Sequence, residues 1–533
     1  MMKLEFAILI SLLLPLQLPA QGVLAARHAV EAVPGDNVLR FYRLAIPVTR
    51  SAFEEDLDSD YGTVLAFWRE CEEYVNNLYV PLGFCFDVIE DEKLVLHERG
   101  LIDENVYNAP SFGTELLNEL IPSTAYDIGM WVTYRDDYEE NSGLSVENGA
   151  YLNSTKASGY AKTDKWVVAH EIGHLLGANH TPPGEGSLMD QIGNYLSYPT
   201  IKRIRSACME RNAAYYSDEQ RTQLVGSNAG GNYVYGVKVE NTAPAFVTAR
   251  MAGTYRIPQG GCLAVELFAT DADGDALRYM AIGDDIESFA SLQPQESNVI
   301  DYRPRYSADV YYPEYFYTVQ GTDIPMLYPG NYGIKFIVYD SPADCSLEAM
   351  KAQPFYSNYA VWDANVEVVA GTEFTASFSP AKDVYNAGEA VMVQWGVNGS
   401  YFTKDSRVRI TMSDNYGRSF EYVLAESVPA HEGNSNVELP DVNVGDVDVD
   451  FITAVRSMPG GIIRVEEIGG VAYTLTAISP ERGGCFNITG ATGIDKMKGE
   501  AGDVNTVYDL QGRKVYNLNE GVYIKNGMKF IIR

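Results

Sequence analysis

One stretch of the sequence has residue types and spacing that could do chemistry: His170-Glu171-Ile172-Gly173-His174-Leu175-Leu176-Gly177-Ala178-Asn179-His180. His170 and His174 stand four apart, which puts both imidazoles on one face of a helix, one turn from each other. Two imidazoles so placed can hold one Zn²⁺ at about 2.0–2.1 Å each. Glu171 follows the first ligand and suits a general base acting on water beside the metal. Gly177 lets the helix stop and the chain turn, since glycine takes left-handed backbone without steric cost. The turn returns His180 as a third ligand. Three protein ligands leave a fourth position for water, which marks a catalytic rather than a structural zinc site. An ordinary amphipathic helix with chance histidines is the alternative, but the extended pattern is far tighter than its first five residues alone.

The apolar run Trp166–Ala169 supplies the buried face such a helix needs. After His180 comes Ser187-Leu188-Met189-Asp190. This resembles the methionine turn of the metzincin proteases, in which a methionine lies beneath the zinc ligands.

The elements that must carry the helix precede it. Leu39–Ile46 reads as a strand, and Tyr61–Leu78 has apolar residues at helical spacing. Phe84–Ile89 is a second strand, Thr114–Leu120 a short helix and Tyr126–Val132 a third strand. Strands alternating with helices predict an α/β fold with a mixed sheet. Gly143–Leu152 is placed as the substrate-facing edge strand, because an extended peptide can add to an open edge.

The opening strand, the Tyr126–Val132 strand, the histidine helix, Gly186–Asp190 and Tyr198–Ile204 together resemble the reprolysin-like metalloproteases that Gram-negative bacteria secrete by the type IX route. The resemblance implies a metzincin fold with its cleft between two subdomains, zinc ligation by His170, His174 and His180, and Glu171 as base. Two positions depart from related patterns. Many reprolysins have Asp after the third histidine, where Thr181 stands here. Gln191 occupies the place where astacins and serralysins carry a tyrosine ligand, which disfavours those two families.

Beyond about residue 235 the texture changes to short β-type runs separated by Gly, Pro and Asp, such as Leu263–Ala269, Leu277–Ile282 and Tyr332–Tyr339. These predict a β-sandwich. Asp271, Asp273 and Asp275 fall at alternate positions. Ca²⁺ takes six to eight oxygen ligands, and carboxylates supply them. With Asn241 and Asp340 they resemble the calcium ligands of cadherin-like modules, against the alternative of a solvated turn built from good turn formers. Ala390–Trp395 and Val408–Ser413 alternate as strands, with a hairpin turn at Asp414–Gly417. That region resembles an immunoglobulin-like module, for which a spacer is the default role. The alternating runs Val507–Val515 and Gly521–Lys529, with turns at Gln511-Gly512 and Asn526-Gly527, resemble the C-terminal sorting domain of type IX cargo. Such a signal is an address rather than an anchor; a small stabilising β-domain is the alternative.

The 533 residues suit about three or four domains. A formal charge of −32 argues against nucleic acid or an anionic membrane as a partner. Lys3, the apolar run Phe6–Leu18 and Leu18-Pro19-Ala20 before Gln21 read as a signal peptide with a cleavage site, so the expected location is secreted or cell-surface. No lipid-attachment cysteine stands at that site. Six cysteines are scattered without a CxxC; Cys71 with Cys85 or Cys262 with Cys345 could pair, and buried thiols are the alternative.

The expected organisation is a signal peptide (1–20), a linker or short pro-segment (21–37), a metzincin catalytic domain (38–235), a cadherin-like β-sandwich (236–372), an immunoglobulin-like β-sandwich (373–480) and a sorting domain (490–533). The fold class is therefore multidomain, an α/β protease domain followed by all-β sandwiches. The functional expectation is a zinc endopeptidase acting on extracellular proteins or peptides and exported with outer-membrane secretion machinery. An adhesin on an inactive protease scaffold is the competing class, and the complete set of His170, Glu171, His174 and His180 speaks against it.

Overall fold

The computed structural model describes residues 33, 35–134, 142–181, 187–190, 194–215, 224–228, 233–283, 292–302, 328–451, 454–476 and 484–490, and four strands between 507 and 532. The signal peptide, most of the 21–37 segment, Gln191 and the turns at 511–512 and 526–527 lie outside the described residues.

Up to residue 238 the elements run β1 (Val38–Ala45), α1 (Arg50–Glu55), α2 (Tyr61–Tyr79), β2 (Phe84–Val88), α3 (Leu101–Glu104), α4 (Asn108–Leu120), β3 (Ile128–Gly129), β4 (Trp131–Val132), β5 (Gly143–Ser145), β6 (Gly159–Ala161), α5 (Lys165–Leu175), α6 (Tyr198–Arg211), β7 (Asn212–Tyr215), β8 (Leu224–Asn228) and β9 (Tyr233–Lys238). β1 is buried along almost its whole length, as a strand covered on both faces must be. It pairs parallel with β2 and β3 and antiparallel with β9, and the sheet continues through β8 to β7. The parallel β1–β2 step needs a crossover, and α2 supplies it. Asp60 caps α2 by accepting from the Thr63 amide. Its buried stripe of Val64, Trp68, Cys71, Val75 and Tyr79 recurs at helical spacing.

Three expected elements are redrawn. Of the edge strand expected over 143–152 only Gly143–Ser145 is strand, and Gly149–Tyr151 forms a 3₁₀ turn. The helix expected at 114–120 begins six residues earlier, at Asn108. Pro110 lies in its first turn, where a proline ring clashes with no preceding carbonyl. The strand expected over 126–132 is divided at Met130: β3 joins β1, whereas β4 joins a second sheet of order β4-β6-β5. β5 is the outer strand of that sheet and runs antiparallel to β6.

After residue 238 the regular elements are almost entirely strands. A five-stranded sheet runs in the order Thr254–Pro258, Tyr359–Val369, Gly330–Ser341, Ala276–Gly283, Leu292–Gln295. A six-stranded sheet runs Val299–Tyr302, Cys262–Glu266, Ala472–Leu475, Ile462–Glu467, Arg407–Ser413, Tyr422–Pro429. Cys262 and Leu263 pair with Tyr473 and Ala472, so the expected 372/373 boundary falls between segments that share one hydrogen-bonded sheet. They also share one core, in which Ile257, Val265 and Phe336 pack with Trp395, Ile410 and Val465. Met280, Ile282, Ile337 and Tyr339 belong instead to the core built around β1 and α5. The strands Val507–Asp509, Lys514–Val515, Gly521–Lys525 and Met528–Ile532 form a separate four-stranded sheet.

All six cysteines are thiols: Cys71, Cys85, Cys208 and Cys262 are buried, Cys345 and Cys485 partly so. Neither of the two pairings considered forms. Burial pushes the Cys85 thiol up to about 12 and Cys345 to about 11, which keeps both protonated and inert. No helix among the described residues is long and apolar enough to cross a membrane.

Candidate metal centre

The local sequence explains how α5 is held. Asp164 caps its start by accepting from the Trp166 amide at 2.8 Å. Tyr79 of α2 donates its hydroxyl to the Ala169 carbonyl at 2.7 Å, and Tyr151 donates to the Leu176 carbonyl at 3.1 Å. The helix stops at Leu175, and just beyond its cap Gly177 has a φ of +102°, a left-handed conformation. The Gly177 amide donates to His174 O and the Ala178 amide to Gly173 O, which satisfies carbonyls a helix end leaves orphaned. The chain thereby reverses and delivers His180.

His170, His174 and His180 come together with their three Nε2 atoms 3.2 Å apart on every side. Nδ1 of His170 lies 2.7 Å from Leu188 O, and Nδ1 of His174 lies 2.9 Å from Ala178 O. A carbonyl only accepts, so both Nδ1 atoms carry the proton and both Nε2 atoms present a lone pair inward. Converging lone pairs repel unless a cation stands among them. Two nitrogens about 2.0–2.1 Å from a tetrahedral ion stand about 3.3 Å apart, so the observed triangle fits zinc. Burial and the facing imidazoles hold His170 down at about 3, and burial also lowers His174. Both rings are thus neutral and available as ligands. His170 is buried, His174 half-buried and His180 exposed, so the triangle opens to solvent on the His180 side.

Glu171 is 4% exposed, and its Oε2 has no hydrogen-bond partner among the described residues. Burial lifts its carboxyl to about 8, with the Ser145 hydroxyl opposing. A dication a few ångströms away would lower it again. Gly143 of the outer strand β5 backs directly onto it: a Cβ there would stand 2.5 Å from Glu171 Oε1. Met189 is fully buried, and a Cβ on Gly173 would stand 2.7 Å from its Sδ. The methionine therefore lies against the helix turn between the two helical histidines. Thr181, where many reprolysins carry Asp, receives its own tie to this turn: its amide donates to Met189 O at 3.2 Å, and its hydroxyl meets Ser187 Oγ at 3.0 Å.

Gly143 and Gly173 were not singled out from sequence. Each had a signal. A glycine inside a helix costs about 1 kcal/mol against alanine, and one in a strand marks close approach of a neighbour. Of the residues considered for calcium, Asp271, Asp273 and Asp275 bring carboxylate oxygens within 4.8 Å of one another, remote in sequence from the histidines.

Comparison with known proteins adds one family. No curated protein matches this sequence. Among solved structures, the chain is similar to two forms of Dscam1 comprising the N-terminal four Ig domains, isoforms 4.44 and 8.4, at 9% and 8% identity and a TM-score of 0.14 each. Those alignments cover 51% and 49% of this chain and 55% of each Dscam1 chain, so the chain spans about half the length of the structures it matches. The model of the metallo-peptidase family M12B, reprolysin-like, matches residues 86–181, a stretch that takes in all three histidines and Glu171.

Proposed function

We propose that the protein is a secreted zinc-dependent endopeptidase of metzincin architecture that cleaves extracellular proteins or peptides. The observation that carries the reading is the 3.2 Å triangle of Nε2 atoms with Glu171 buried beside it. His170, His174 and His180 would hold the zinc. Bound there, zinc supplies Lewis-acid polarisation of the scissile carbonyl and acidifies water to about pKa 7. Glu171 takes the water's proton and passes it to the leaving amine. The Leu188 and Ala178 carbonyls fix the tautomer and tilt of two ligands, the role outer partners play at metal sites. β5 lies beside Glu171 at the rim of its sheet, where an extended substrate can add as a further strand and bring its backbone to the site.

The remaining modules complete the proposal. Residues 1–20 direct export, 21–37 are a linker or short pro-segment, 38–235 are catalytic, and 236–372 and 373–480 are cadherin-like and immunoglobulin-like in kind. The four-stranded sheet within 490–533 is the address read by outer-membrane secretion machinery. Casein or gelatin hydrolysis by the purified chain tests the central reading. Activity is lost with a chelator and restored by zinc; hydrolysis indifferent to chelation contradicts it.

A further inference from the structure

Strand β5 alternates: Gly143 and Ser145 are half-buried, and Leu144 between them is exposed. Gly143 and Ser145 therefore share one face, and Gly143 shows which, since it backs onto the Glu171 carboxyl. Gly159, the partner of Ser145 across β5 and β6, shares that face. Of these three positions only Ser145 carries a side chain. It fills the room its partner leaves: a Cβ on Gly159 would stand 2.3 Å from Ser145 Oγ and 3.1 Å from Met130 Cε.

Ser145 Oγ and Glu171 Oε2 are both buried, and neither has a hydrogen-bond partner among the described residues. The hydroxyl nonetheless stands close enough to act on the Glu171 carboxyl as a hydrogen-bonding side chain. Buried polar atoms left unpaired are costly, and a serine swinging about χ1 can bring these two together. The strand is fixed where this matters. The Val146 amide donates to Ser158 O and the Asn148 amide to His174 O, each at 3.0 Å. The exit of β5 is thus tied to the helix that carries Glu171.

We infer that Ser145 is a positioning residue for Glu171: its hydroxyl holds one carboxylate oxygen and leaves the other free to work on water at the metal centre. The inference rests on the endopeptidase reading. A hydroxyl suits a base that changes charge during the reaction. It donates to the carboxylate and, turned about its C–O bond, accepts from the protonated acid. A backbone amide could serve only the first of these states. The carboxyl therefore keeps its place both when it takes the water's proton and when it passes that proton to the leaving amine.

Steady-state peptide hydrolysis by the full, zinc-loaded chain tests this in a double-mutant cycle of Ser145→Ala and Glu171→Gln. Ser145→Ala lowers kcat about tenfold, as loss of a hydrogen bond to a charged group should. KM stays within about twofold, because substrate binding is not what the hydroxyl serves. Zinc content stays at the parent level. In the Glu171→Gln background the same change alters the residual hydrolysis by less than about twofold, since no base is left to aim. Gly159→Ala drives the hydroxyl from its place while leaving it in the chain. It lowers kcat with KM unchanged, and it serves if Ser145→Ala does not fold. Parent-like kcat in either folded variant, or an equal loss from Ser145→Ala in both backgrounds, overturns the positioning role. Parent-like hydrolysis by Glu171→Gln instead overturns the endopeptidase reading, so the two failures are distinct.

Discussion

Gly143 and Glu171 occupy adjoining space: a methyl group on Gly143 would lie 2.5 Å from Glu171 Oε1 and 2.7 Å from its Cγ. The outer strand and the Glu171 side chain are thus in direct contact, and the carboxylate is aimed partly by a strand that carries no side chain at that point.

Gly143→Ala pushes the Glu171 carboxylate aside without touching a ligand. An ångström-scale misplacement can cost about 100-fold in rate, so kcat/KM should fall by about 10- to 100-fold. Zinc content, read by elemental analysis, should stay at the parent level. Parent-like hydrolysis would show that Glu171 is positioned by other groups.

Gly177→Ala acts on the return of His180. A non-glycine residue at φ +102° is strained by about 1–3 kcal/mol. The new Cβ would also stand 2.6 Å from Asn148 Oδ1 and 2.8 Å from the Ala207 Cβ. Both the melting temperature and zinc affinity should drop, the second because the third ligand is displaced. A competition titration with a chromogenic chelator measures it, and unchanged zinc affinity would dissociate the turn from the site.

Asp340 gives a pH signature. Burial and the facing Asp271 and Asp275 charges raise its carboxyl to about 7 from an ordinary 3.8, with Asn241 and the Asn358 amide opposing. The folded state then holds this proton more tightly than the unfolded state. Its contribution to stability is full below about pH 4 and is lost as pH rises through about 7. In calcium-free protein, Asp340→Asn should flatten the part of the melting-temperature profile that falls between those values. Profiles of parent and variant that coincide without calcium would exclude Asp340 as the titrating group.

The histidine helix was legible because its signals are local: a four-residue step, a glycine turn and a nearby methionine all act within about one helix length. His170, His174 and His180 come together for that reason. The Asp271 loop was visible in the same way, but the depth of Asp340 depends on strand packing. Strand partners were not legible. Alternation marks Cys262–Glu266 as a strand, yet its neighbour is Ala472–Leu475, and nothing local names a partner so distant in sequence. The division at Met130 has the same origin, since two sheets compete for one apolar run. Gly143 and Gly173 escaped notice because a glycine's importance lies in what approaches it.

The central claim is that His170, His174 and His180 hold a catalytic zinc beside a base supplied by Glu171. Glu171→Gln tests it most directly, with zinc content and peptide hydrolysis measured on the same purified sample. The amide fills the same space but cannot accept a proton, and loss of a general base costs about 10²–10⁴ in rate. The account predicts one zinc per chain, an unchanged fold and a loss of hydrolysis in that range. Hydrolysis within about tenfold of the parent, short of what losing a general base costs, would contradict it.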